Sequence, residues 1–158
     1  IVLSVGKLLE NRTEDVLNEI IDYKHAAKDA HLKVILETGA LNDPQWVFKA
    51  SLLAMEGGAD FLKTSTGKGY PGANEVYFYV MAQAIAQYYQ KRNRAVGIKA
   101  AGGVSSARHV ATYMAIADQV LGREWLTKEH FRIGASRLAN TLLEQITEKD
   151  SGQEIGYF

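Results

Sequence analysis

The sequence predicts an α/β chain built on a parallel sheet, and two observations carry this. Five short apolar runs alternate with segments of helical periodicity at a repeat of roughly 27 to 36 residues, the mark of successive βαβ units. Polar residues and glycines gather at the C-terminal end of nearly every run, where a closed barrel would bring them round one mouth. An open doubly wound sheet shares the first feature. The second favours a (β/α)8 TIM barrel, of which 158 residues hold only a part, because the complete form needs about 250 residues.

Residues 1–5, IVLSV, form the first apolar run and predict a strand. Val16, Leu17, Ile20 and Ile21 then fall at helical spacing, with Thr13 as the N-cap. Residues 32–37, LKVILE, are β-branched and aliphatic and stop before Gly39, as a buried strand does. Asp43 and Pro44 supply a cap and a first-turn proline for a helix that carries Val47, Leu52, Leu53 and Met55 and closes at Gly57 and Gly58. A strand over 60–65 follows, then a glycine-rich turn over 67–72 and a long helix over 74–90. The next strand covers 95–101 and ends on Gly102 and Gly103. Ser105 or Ser106 caps the helix bearing Val110, Tyr113, Met114 and Ala117. A last strand over 131–134 precedes a helix marked by Leu138, Leu142 and Ile146. The tyrosines and phenylalanine at 77, 78, 79, 88 and 89 predict a packing face rather than a cofactor box.

Composition narrows the function. Lys plus Arg equals Asp plus Glu at 18 each, so no overall field gathers nucleic acid or an anionic membrane, and an anion needs a local site. Cysteine is absent, which removes thiolate nucleophiles and sulfur-ligated metals and makes a reducing cytoplasm the expected compartment. No apolar run reaches membrane-spanning length. The histidines at 25, 31, 109 and 130 lack metal-ligand spacing and predict surface or packing roles.

Two lysines stand inside strands, where a buried ammonium loses its hydration unless it is paired or neutralised. Phe61, Lys63 and Ser65 share one strand face, and Gly97, Lys99 and Ala101 share another. On adjacent strands about 4.8 Å apart, two inward ammonium groups repel and one gives up its proton. A lysine with an ordinary pKa of about 10.4 is almost wholly charged at neutral pH; a lowered pKa makes it a nucleophile for carbonyl carbon. The expectation is a Schiff-base enzyme with one lysine as nucleophile and the other as its electrostatic partner. Lysines at strand ends that reach into solvent are the plainer alternative. Lys33, a third strand lysine, predicts a polar or structural role. Gly102 and Gly103, and again Gly134 with Ser136, follow strands and open helices, so their backbone N–H groups suit a phosphate. Thr66 and Lys68 lie alongside in prospect.

Residues 32–39 (LKVILETG), 58–68 (GADFLKTSTGK), 96–103 (VGIKAAGG) and 131–136 (FRIGAS) closely resemble the deoxyribose-phosphate aldolase family, in order and spacing, over essentially the whole chain. The resemblance implies a class I aldolase on a (β/α)8 barrel, without metal or cofactor. It implies cleavage of 2-deoxy-D-ribose 5-phosphate to acetaldehyde and D-glyceraldehyde 3-phosphate, with Lys63 as Schiff-base lysine and Lys99 as the lysine that lowers its pKa. Thr66, Gly67, Lys68, Gly102, Gly103, Gly134 and Ser136 match the substrate and phosphate loops, and Tyr157 is a counterpart of the family's proton-transferring tyrosine. Ser105 stands where many members carry arginine. On this basis residues 1–158 are expected to form one partial barrel domain, strands four to eight, in a cytoplasmic protein that forms a homo-oligomer. The first three strands and a relay aspartate are expected to precede Ile1. Another Schiff-base phosphate-sugar aldolase, an inactive fragment, and a noncatalytic interaction module derived from such a barrel are the alternatives.

Overall fold

The computed structural model describes residues 1–135 and 138–150. Four parallel strands, β1 (Lys33–Ile35), β2 (Phe61–Lys63), β3 (Gly97–Ala101) and β4 (Phe131–Gly134), lie in the order β1-β2-β3-β4. Each strand pairs only with its sequence neighbours, without the reversal that marks a doubly wound sheet. Helices α2 (Thr13–Ala27), α4 (Pro44–Glu56), α5 (Glu75–Arg92) and α6 (Ala107–Leu121) pack α2 on α4, α4 on α5 and α5 on α6. Short helices α1 (Val5–Leu9) and α3 (Thr38–Leu41) and a 3-10 turn (Arg123–Trp125) fill the connections, and α7 (Leu138–Asp150) follows β4. Among the described residues no helix is long and apolar enough to cross a membrane.

The pleat separates two faces. Val34, Leu62, Ile98 and Ala100 alternate toward the helices and are fully buried with Phe78, Met81 and Ile85. Each large aliphatic among them contributes about 1.5–3 kcal/mol by leaving water. The opposite face carries Lys33, Phe61, Lys63, Lys99 and Arg132, set side by side by the register. One helical layer over one strongly polar sheet face is how part of a barrel wall is built.

Several local expectations need correction. Residues 1–5 make a single bridge, Val2 with Ile35, rather than a strand. Leu3 N–H donates to the Ile35 carbonyl, and then the Val5 N–H turns back to Leu3 and the Leu8 N–H to Ser4, which starts α1. Thr13 lies inside α2, and Arg12 holds the cap position without a side-chain cap; the Thr13 hydroxyl donates backward to the Asn11 carbonyl, so it does not serve the helix N–H groups. The close of α4 is as expected, with Gly57 as cap and Gly58 in the left-handed conformation (φ 100°). Met114 and Ile146 are 40% and 57% exposed, outside the buried stripes of their helices. Of the aromatic cluster, Phe78 and Tyr88 are buried and Tyr89 packs edge-on at 5.1 Å from the Trp125 ring, whereas Tyr79 is 44% exposed.

The other caps fall as the sequence predicts. The Asp43 carboxylate accepts from Gln45 and Trp46 N–H, and the Ser106 hydroxyl accepts from His109 N–H. α5 starts one residue later than expected, because Asn74 is its cap and accepts from Val76 and Tyr77 N–H.

Candidate active site

The site forms at the C-terminal ends of the strands because each connection there carries glycine or a small polar residue. Lys63 and Lys99 are direct register partners on β2 and β3, and Lys99 is in turn the partner of Arg132 on β4. Burial, then Lys63, then Arg132 push the Lys99 ammonium below the usual lysine range. Burial, then Lys99, Arg132 and Lys63 do the same to Lys33. Lys33 lies on the same charged face as Lys99, Lys63 and Arg132. Its ammonium and the Arg132 guanidinium lie 5.3 and 4.8 Å from the Phe61 ring centre, within reach of an attractive cation–π contact. Arg132 Nε also donates to the Lys128 carbonyl at 3.1 Å.

Beyond the lysines the strands are pinned apart by a side chain. The Thr64 hydroxyl donates to the Ala101 carbonyl at 2.9 Å and accepts the Ala101 N–H at 3.0 Å, so it substitutes for a ladder rung. Beyond that rung lies an open cavity of about 520 Å³, lined from β2 and its loop by Lys63, Thr66, Gly67 and Lys68. The loop after β3 contributes Gly102, Gly103, Val104 and Ser105, and the end of β4 contributes Gly134 and Ala135. Lys63 faces this cavity; Lys99 is not among its lining residues.

Two glycines are dictated by position. Gly102 has φ 88°, and a Cβ there would lie 2.8 Å from the Gly72 Cα, so the loop after β2 folds directly onto the loop after β3. The Ala73 N–H completes this contact by donating to the Gly102 carbonyl at 2.9 Å. At Gly134 a Cβ would lie 2.7 Å from Lys99 Cε and 3.4 Å from its Nζ. The missing side chain is the space that the Lys99 arm occupies.

The sequence underrated Glu37. It is 4% exposed, holds φ 53° and receives the Thr66 N–H and hydroxyl on its carboxylate. A left-handed non-glycine residue costs about 1–2 kcal/mol, and such outliers cluster at functional sites. Arg132 was also missed, although its place two residues before Gly134 puts it on the inward face at period two. Ser136 and Tyr157 lie outside the described residues. His109 is exposed and its Nδ1 accepts the Ser105 N–H at 3.5 Å, while the half-buried His130 packs 5.3 Å from the Trp125 ring.

Fold and site together define a barrel-type α/β protein with a lysine pair beside a glycine-lined mouth. The chain belongs to the DeoC/LacD family aldolases, whose family pattern matches residues 1–142. It is 38% identical over 157 residues to deoxyribose-phosphate aldolase of Mus musculus, covering 99% of this chain and 49% of that protein. A provisionally named deoxyribose-phosphate aldolase of Coccidioides immitis superposes with TM-score 0.75 at 29% identity, over 92% of this chain and 51% of that one. One from Toxoplasma gondii ME49 gives TM-score 0.82 at 24% identity over 99% of this chain and 61% of its own, a likeness of fold alone. The chain thus spans about half the length of the curated relatives it matches.

Proposed function

We propose that the protein of which this sequence is part cleaves 2-deoxy-D-ribose 5-phosphate through an imine on Lys63. The carrying observation is that Lys63 lines the glycine-rich cavity while its register partner Lys99 stands beside it with its proton affinity lowered. The strand register sets the two amines side by side, so each lies within the field of the other. Lys63, facing the cavity, is the amine that meets the substrate. Its nitrogen attacks the C1 aldehyde of the open-chain sugar, and loss of water gives the imine. Deprotonation of the C3 hydroxyl breaks the C2–C3 bond, releases D-glyceraldehyde 3-phosphate and leaves the two-carbon enamine on the lysine. Protonation at C2 and hydrolysis then release acetaldehyde and restore the amine.

The phosphate is assigned to the mouth formed by Gly67, Lys68, Gly102, Gly103 and Gly134, with Thr66 shaping the loop. The N-terminus of α6, with its Ser106 cap, adds the favourable end of a helix dipole behind Gly103 and Ser105. Ser136 and Tyr157 keep the roles the family resemblance implies. Residues 1–158 are read as one domain corresponding to strands four to eight of the barrel, in a cytoplasmic homo-oligomer. In an assay that follows D-glyceraldehyde 3-phosphate release, Lys63→Leu is expected to abolish turnover while the variant keeps its far-UV spectrum. Undiminished turnover in that folded variant would rule out Lys63 as nucleophile.

A further inference from the structure

We infer that Glu37 is a positioning residue that holds the Thr66–Lys68 loop in its phosphate-receiving shape, an inference that deepens the assignment of that loop made above. The Glu37 carboxylate is buried at the C-terminal end of β1 and is not part of the cavity lining. Its two oxygens accept the Thr66 N–H at 3.2 and 3.3 Å, and one of them accepts the Thr66 hydroxyl at 2.5 Å. A threonine hydroxyl has one proton to donate, and it is directed at the Glu37 carboxylate, 2.5 Å away, in preference to the Lys68 carbonyl at 3.3 Å. The same Oγ1 then accepts the Lys68 N–H at 3.1 Å. A single carboxylate therefore fixes Thr66 through two donors, and Thr66 passes the constraint to the backbone of Lys68.

This changes what the loop offers an anion. With its N–H and hydroxyl committed to Glu37, Thr66 acts as a strut, and Lys68 supplies the charge. Among the described residues the Lys68 ammonium has no ion-pair partner, so it is left for a ligand. Glu37 is itself held rigidly. The next residue, Thr38, donates its N–H to the Thr64 carbonyl at 2.9 Å, and the Glu37 carbonyl accepts Ala40 N–H at 2.9 Å. The end of β1 is thereby tied both to the strand bearing Lys63 and to the loop beyond it.

The test separates phosphate capture from imine formation in the full chain. Inorganic phosphate is titrated while the amide NMR shifts of Gly67, Lys68, Gly102 and Gly103 are followed, and Lys63 labelling by acetaldehyde with borohydride is measured in parallel. Glu37→Ala is expected to weaken phosphate about tenfold, the scale of losing a charged hydrogen bond, with labelling kept within about twofold. Glu37→Gln, which retains one acceptor for the Thr66 hydroxyl, should lose about threefold. Should the alanine variant fail to fold, the glutamine variant decides alone. Unchanged phosphate affinity, equal losses in both readouts, or no saturable phosphate binding by the unaltered chain would overturn the inference. Glu37-dependent phosphate binding without any label on Lys63 would leave it standing and remove the aldolase assignment instead.

Discussion

Lys99 is where the chemistry of single residues is most exposed to measurement. Its folded-state pKa lies below the ordinary lysine value of 10.5, through burial first and then Lys63 and Arg132. Between that folded value and 10.5 the unfolded chain binds more protons than the folded one. Stability attributable to Lys99 therefore rises with pH across the window, is complete above 10.5 and is lost as pH falls through the folded value. Urea unfolding from about pH 7 to about pH 10 should show wild type gaining on Lys99→Met with rising pH, and the variant should also turn over severely more slowly. A constant difference between the two would contradict the shift. The lysine pair was legible in the sequence because period-two alternation and strand adjacency are enough to place two inward side chains together. Glu37 and Arg132 were not so legible. Their roles depend on a loop folding back to present Thr66 and on a guanidinium settling over Phe61, neither of which leaves a periodic trace.

At the scale of elements, the strand bases are tied as firmly as their mouths. The Asp60 carboxylate before β2 accepts from Lys24 at 2.7 Å, from Leu32 N–H at 2.8 Å and from Arg94 at 3.2 Å. Burial acts to raise its pKa, but these donors, Lys24 foremost, prevail and hold it below the usual carboxylate range. Arg94 also reaches the Met55, Gly58 and Ala59 carbonyls at the end of α4, so one contact set joins α2, α4 and β2. Asp60→Ala is expected to lower the unfolding free energy by about 2 kcal/mol, since it removes the one carboxylate shared by two cations and leaves the Leu32 N–H without its acceptor. The unfolding midpoint in urea measures this, and a change within about 0.5 kcal/mol would show the junction to be dispensable. Elements with strong local signals were legible: the Asp43-Pro44 and Ser106 caps and strand 131–134 fall where sequence places them. The first run and Thr13 failed because apolar composition and a hydroxyl are necessary, not sufficient. Pairing beyond Val2 was lost to the turn into α1, and Thr13 spent its proton on Asn11.

For the whole molecule, the consecutive strand order and the division of the sheet into an aliphatic helix-facing side and a cationic inner side are the features that join fold to function. The helix-facing side supplies the stability that lets the other side carry Lys33, Lys63, Lys99 and Arg132 close together. Alternation of strands and helices in the sequence left barrel and open sheet in competition, and clustered glycines tilted the balance. Strand order, a nonlocal property, decided it.

The central claim is that Lys63 forms the imine, and intact mass of the protein treated with acetaldehyde and sodium borohydride, followed by peptide mapping, tests it most directly. The account predicts one added ethyl group, located on Lys63. An adduct on Lys99 or Lys33 with Lys63 unmodified, or no adduct at all, would contradict it.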